Sequence, residues 1–171
     1  MNYCRRCGEK LTTEDNVAYT CKNSHTLYAN PAPCVGIFLL DQDDKVVLSV
    51  RGIEPAKGKL DSIGGFIDGD ESFEEALARE IREETGLAPE QYTKPTYLVS
   101  APSSYLFDGE TRSVLSCFYY ARLSEDAEPK ALDDVAELVR VALTDLRPDE
   151  MWAHDVKVGI RALLTVMGVV Y

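Results

Sequence analysis

The chain has 171 residues, 45% hydrophobic and 27% charged, a balance that excludes a disordered protein and fits one ordinary domain with a small appendage. Its net charge of -11 argues against broad nucleic-acid binding, which needs clustered Lys and Arg on phosphates. Apolar runs such as Cys34–Leu40 fall far short of the ~20 residues of a membrane span. With no apolar stretch behind Arg5 and Arg6, no signal peptide is expected, and the compartment is read as the cytosol.

In chain order, the first feature is a cysteine pair, Cys4-x2-Cys7, followed by Cys21 and then His25. Two thiolates two residues apart form a tight knuckle, here closed by Gly8, and a second pair carried across by a hairpin completes a tetrahedral zinc site. This spacing predicts a zinc ribbon over residues 1–30 with Cys4, Cys7, Cys21 and His25 as ligands of structural Zn2+. So small a module has no core of its own, so the metal supplies its folding energy. Asn30-Pro31-Ala32-Pro33 reads as an extended connector that cannot continue a ladder. The domain 31–171 follows.

Residues 34–40 read as a buried strand, paired with residues 45–51 across the acidic turn at 41–44. Residues 52–72 are loop-like, and a helix runs from about Phe73 to Thr85, stopped by Gly86. Further strands are expected at Thr96–Pro102, Val114–Leu123 and Leu138–Leu143, then an amphipathic helix over Asp155–Met167. Cys34 and Cys117 sit in apolar strand-like runs and read as small buried hydrophobes. Strands and helices in mixed order indicate an α/β sandwich.

Charge is concentrated between residues 61 and 90, where ten acids stand against two arginines. A solvated helix face is the ordinary explanation for such a run. Stepping about 100° per residue from Phe73 defines an apolar stripe through Ala76, Leu77 and Ile81. Glu80 and Glu84 land inside that stripe and Glu83 on its edge, whereas Glu75, Ala78 and Arg82 point to solvent. Carboxylates aimed inward repel one another and lose water, and a hard divalent cation, Mg2+ or Mn2+, compensates them. Arg79, four residues before Glu83, is placed to orient that carboxylate. Gly64 and Gly65 let the chain turn and come close to a ligand, and a loop leading into a helix N-terminus offers amide N–H groups to phosphate.

The same run matches the pattern G-x5-E-x7-R-E-U-x-E-E-x-G-U, with U aliphatic, at Gly65, Glu71, Arg79, Glu80, Ile81, Glu83, Glu84, Gly86 and Leu87. The chain therefore resembles the Nudix hydrolases over about residues 34–168. The resemblance implies an α/β/α sandwich with a mixed sheet behind the small zinc ribbon. It also implies a metal-dependent pyrophosphohydrolase acting on a nucleoside diphosphate linked to another moiety. Glu80, Glu83 and Glu84 are then ligands of catalytic Mg2+ or Mn2+, with one of them, or a carboxylate elsewhere, as base.

A ribbon ahead of such a domain, with the junction Tyr28-Ala29-Asn30-Pro31, is similar to the NADH pyrophosphatase group. The chain departs from that group in its fourth zinc ligand, His25 instead of cysteine. It also lacks the S-Q-P-W-P-F-P-x-S motif, for which Val99–Phe107 stands instead. Pro102 is similar to the marker proline of ADP-ribose pyrophosphatases, and Tyr105 to the tyrosine of diadenosine polyphosphate hydrolases. Tyr105 and Phe107 are candidates for stacking on a base or for strand packing. Arg51 is a candidate phosphate contact or a surface salt bridge. Asp134 and Glu137 are candidates for an extra metal ligand or base, or for a solvated acidic loop.

The function expected is cleavage of ADP-ribose or an NADH-like dinucleotide. The alternatives are hydrolysis of a nucleoside triphosphate or diadenosine polyphosphate, and a non-catalytic ligand sensor on the same fold. The expected partner is a small-molecule nucleotide, with no membrane and no nucleic acid; a homodimer is left open.

Overall fold

The computed structural model describes every residue except Asp108 and Tyr171, together with the Phe107 side chain. Contacts divide the chain into two units, Met1–Pro31 and Ala32–Tyr171. The first is a small antiparallel sheet of β1 (Leu11–Thr12), β2 (Ala18–Cys21) and β3 (Thr26–Tyr28). Its buried cluster is only Cys4, Leu11, Cys21 and Leu27, far too little apolar surface to hold a fold alone.

The second unit is built on β4 (Ala32–Leu40), which lies antiparallel to β5 (Lys45–Arg51) and parallel to β8 (Glu110–Arg122). The strand order is β6-β5-β4-β8-β7, with β9 (Val135–Ala142) also on β5; β6 is Leu60–Asp61 and β7 is Thr96–Phe107. A strand covered on both faces must be apolar at successive positions, and β4 is. Val35, Ile37 and Leu39 face the cluster of α1 (Phe73–Thr85), whereas Phe38 and Leu40 face that of α2 (His154–Val166). The result is the α/β/α sandwich with a mixed sheet.

The helix α1 starts where Ser72 caps it: its hydroxyl accepts from Glu75 N–H at 3.2 Å while Glu75 Oε2 accepts from Ser72 N–H at 2.9 Å. It stops at Gly86, whose φ of 72° only glycine adopts cheaply. The inward positions of α2 are Asp155, Val156, Gly159, Ile160, Leu163 and Leu164. No helix among the described residues is long and apolar enough to cross a membrane.

Several expectations need correction. Ala32 and Pro33 are part of β4 rather than a connector, opposite Val114 and Leu115. The Pro33 carbonyl accepts from Ile67 N–H at 3.2 Å. The supposed loop 52–72 contains β6, paired with Val50 and Ser49. The strand expected to end at Pro102 continues to Phe107, and the one expected from Leu138 begins at Val135. Cys34 and Cys117 are half-buried, and Ala78 is half-buried rather than solvent-facing.

Candidate active site

The helix α1 presents its acids as the spacing of about 100° per residue expects. Glu84 is 7% exposed, Glu80 is half-buried and Glu83 is exposed on the rim. Gly64 N–H donates to Glu84 Oε2 at 2.9 Å, which links the glycine loop to the helix across twenty residues of sequence. Gly64 has a φ of 138°, and a Cβ there would strike the Val35 carbonyl. At Gly65 a Cβ would stand 2.6 Å from Glu80 Oε1, so a side chain there would push that carboxylate aside.

Arg79 is the hub. Its guanidinium donates to both oxygens of Glu71 at 2.8 and 3.0 Å, to Glu80 Oε1 at 2.8 Å, to Glu83 Oε2 at 2.9 Å and to the Phe66 carbonyl at 2.9 Å. It therefore orients three carboxylates instead of Glu83 alone. A planar fork can hold one acid bidentately while its remaining N–H groups reach others. The Arg79 hydrogen bonds hold Glu71 below the usual carboxylate range. Glu71 was visible in the motif but given no task by sequence reasoning.

Burial pushes Glu84 up to about 9, against the Gly64 amide and with the charges of Glu80, Asp134 and Asp61 adding to the rise. Glu80 is also raised, by burial first, although Arg79 opposes it. Such crowding of partly buried like charges is unfavourable without a cation, and hard oxygen donors suit a divalent ion such as Mg2+ or Mn2+. The oxygens of Glu80, Glu83 and Glu84 are not drawn together as tightly as a closed metal cluster: Arg79 holds Glu80 and Glu83, and the loop amide holds Glu84. The donor set fits a divalent cation by its chemistry.

On the other side of Gly64 and Gly65 opens a cleft of about 750 Å3, counting space open to solvent. Its walls include Phe66, Tyr105 and Trp152, with Arg51, Asp61, Asp134, Ser116 and Asp155 among its polar residues. Tyr105 meets Phe66 edge-on at 5.9 Å and Trp152 at 6.1 Å. The Phe107 side chain lies outside the described residues. Arg51 is not in a surface salt bridge: its Nη1 pairs with Asp61 Oδ2 at 2.9 Å with both side chains largely buried. The guanidinium lies 4.9 Å from the Trp152 ring centre, and Trp152 Nε1–H donates to the same Asp61 oxygen at 3.0 Å. Burial raises Asp61, with Trp152 and Arg51 opposing. Asp134 lines the cleft, but Glu137 does not; it sits exposed on β9 opposite Val50.

In the first unit, the ligand atoms of Cys4, Cys7, Cys21 and His25 all lie within 4.8 Å of one another, the one such group among the described residues. Cys4 Sγ is 3.6 Å from His25 Nδ1 and Cys7 Sγ is 3.7 Å from Cys21 Sγ. The amides of Cys7 and Gly8 turn back onto the Cys4 carbonyl. Hydrogen bonding from the Glu9 backbone, foremost, brings Cys7 down to about 6, so this thiol is readily a thiolate. The set could hold a metal ion.

Sequence reasoning missed Asp61, Trp152, Ser116 and Asp155. Only Asp155 left a signal, being four residues before Gly159 and eight before Leu163 on the inward face of α2.

The family model described as NUDIX domain matches residues 30–161. An ADP-ribose pyrophosphatase of Methanocaldococcus jannaschii is 43% identical over 65 residues, 38% of this chain and 38% of that protein. A NAD-capped RNA hydrolase NudC of Mannheimia succiniciproducens is 35% identical over 92 residues, 50% of this chain and 34% of that protein. The chain thus spans little more than a third of the length of these curated relatives. Among solved structures, a NUDIX hydrolase from Nitrosomonas europaea aligns with a TM-score of 0.69 at 20% identity, covering 99% of this chain and 94% of that one. The NUDIX domain of Shewanella oneidensis NrtR, complexed with ADP ribose, aligns at 0.65 and 23% identity, covering 82% and 90%. At these identities the likeness is one of fold.

Proposed function

This chain belongs to the NUDIX domain family, and we propose that it is a hydrolase of small nucleotides that cleaves the diphosphate bond of a nucleoside diphosphate linked to a sugar-like moiety, ADP-ribose first. The observation that carries this is the single cleft in which aromatic walls and Arg51 lie against the Gly64–Gly65 loop, with the carboxylates of α1 directly behind it. The partial match to a protein named ADP-ribose pyrophosphatase supports the same substrate class.

In this reading Glu80, Glu83 and Glu84 hold Mg2+ or Mn2+, with Asp134 close enough to influence them. The ion, when bound, polarises a phosphoryl oxygen and lowers the pKa of water. Arg79 keeps Glu80 and Glu83 facing one way, and the Gly64 amide fixes Glu84. Gly65 leaves a smooth backbone surface for the diphosphate, Arg51 offers a cation to it, and Tyr105 with Phe66 and Trp152 covers a flat ring. The general base is one of the carboxylates on or near α1. We further infer that Cys4, Cys7, Cys21 and His25 hold structural Zn2+.

Relatives named NAD-capped RNA hydrolase favour a second reading, cleavage of an NADH-like dinucleotide. The absence of the S-Q-P-W-P-F-P-x-S motif speaks against it. The test is a panel of ADP-ribose, NADH, FAD, diadenosine polyphosphates and nucleoside triphosphates with Mg2+ or Mn2+, products identified by mass. ADP-ribose should equal or exceed NADH in kcat/KM. A strong preference for NADH over every other compound overturns the first reading.

A further inference from the structure

One polar pair in the cleft has no part in the hydrolytic chemistry. Asp155, on the first turn of α2, is only 8% exposed. Its Oδ2 accepts the Ser116 hydroxyl at 2.5 Å. Its Oδ1 is buried without a hydrogen-bond partner, the one such side-chain atom among the described residues. No ion pair among the described residues includes Asp155. A buried carboxylate with one neutral partner is costly, and buried polar atoms normally have their hydrogen bonds made.

The placement is not an accident of packing. On β8, Val114, Ser116 and Phe118 alternate inward, so Ser116 occupies a position that alternation reserves for an apolar side chain. On α2, Asp155 likewise takes an inward position in line with Gly159 and Leu163. Both line the cleft together with Phe66, Tyr105 and Trp152. Because the Ser116 proton is spent on Asp155, this end of the cleft presents acceptors: the carboxylate and the remaining lone pairs of the hydroxyl. The nearby Cys34 thiol points to the Ala32 carbonyl at 3.9 Å. Acceptors in a cleft that also carries Phe66, Tyr105 and Trp152 match a flat ring with an N–H donor on its edge.

We propose that Asp155, positioned by Ser116, is the specificity-determining acceptor for an exocyclic amino group on the substrate's nucleobase. This rests on the cleft being the nucleotide site of the hydrolase. An oxo group at the same place would set acceptor against acceptor, which a site built from buried acceptors rejects.

The experiment compares ADP-ribose with its hypoxanthine counterpart, which carries oxo in place of the amino group, on wild type, Asp155→Asn and Asp155→Ala. Wild type should favour the amino substrate at least tenfold in kcat/KM, mainly through KM. Asp155→Asn can turn an N–H toward the oxo group, so the ratio should fall to about one or invert. Asp155→Ala should level the ratio without inverting it. Melting temperatures accompany the kinetics; should one variant fail to fold, the other decides, and an unchanged ratio in a folded variant overturns the assignment. Equal kcat/KM for both substrates on wild type overturns this assignment and leaves the hydrolase reading intact. If neither is cleaved, that reading of the substrate fails instead, and calorimetric binding of AMP against IMP decides base selection: equal affinities overturn it.

Discussion

Glu84 is the residue on which chemistry and stability pull apart. Its carboxylate is buried, faces like charges and has one backbone amide as partner. Replacement by Gln preserves that hydrogen bond and removes the charge. Activity should fall a hundredfold or more, about 3 kcal/mol of transition-state stabilisation, if the carboxylate serves a metal-held water. Rates against Mg2+ concentration for wild type, Glu80→Gln and Glu84→Gln check this; wild-type rates in both variants would make the carboxylates structural. The same residue predicts a pH dependence. Its folded-state value is raised from 4.5 to about 9, so between those values the folded chain holds a proton that the unfolded chain has released. The contribution of Glu84 to stability is therefore full below pH 4.5 and declines as pH rises toward about 9. In metal-free buffer, Glu84→Gln should melt several degrees above wild type at pH 8 and close to it at pH 5, given about 2–4 °C per kcal/mol for a chain of this size. An unchanged difference across that range would show that burial of the charge is not the cause.

At the level of elements, α1 is held at both ends by local chemistry that needs no partner from the sheet. Ser72 and Glu75 form a reciprocal cap, and Gly86 ends the helix with its N–H on the Arg82 carbonyl at 2.8 Å. Ser72→Ala should cost about 1 kcal/mol, lowering the melting temperature by about 2–4 °C, with little change in KM because the cap lies on the exposed side of the helix. Thermal melts beside steady-state kinetics read both quantities; a large KM change would place Ser72 in the substrate site. The glycine loop is different in kind. Gly64→Ala would force a side chain onto the Val35 carbonyl in β4 and displace the amide that holds Glu84, so stability and activity should fall together.

For the whole molecule, the uneven charge follows the division of labour. Residues 1–30 carry four Lys or Arg against three acids, while residues 61–90 carry the acids that a divalent cation would balance. The small first unit has a core of four residues, and bound metal is the force that would hold it. Protein purified without chelator should contain about one zinc per chain, and Cys4→Ser should lower that content. Elemental analysis finding no zinc would remove the ribbon assignment while leaving the hydrolase domain untouched.

Much of the site was legible because its key residues are neighbours along one helix. Glu80, Glu83 and Glu84 declare their direction through a 3.6-residue period, and the spacing of Cys4, Cys7, Cys21 and His25 needs only a hairpin to close. Helical period and turn chemistry are local, so a linear string carries them. The other half of the cleft is not local. Trp152 meets Asp61 across 91 residues and Asp155 meets Ser116 across 39, contacts set by the register of β8 on β4 and by where α2 crosses the sheet. Arg51 read equally as a phosphate contact or a surface salt bridge until the fold buried it against Asp61. The chain alone therefore determined the carboxylate-bearing helix and the metal-type cysteine cluster. Tertiary structure decided the walls and floor of the pocket, because burial and hydrogen-bond pairing between distant strands and helices exist only once the sheet has formed.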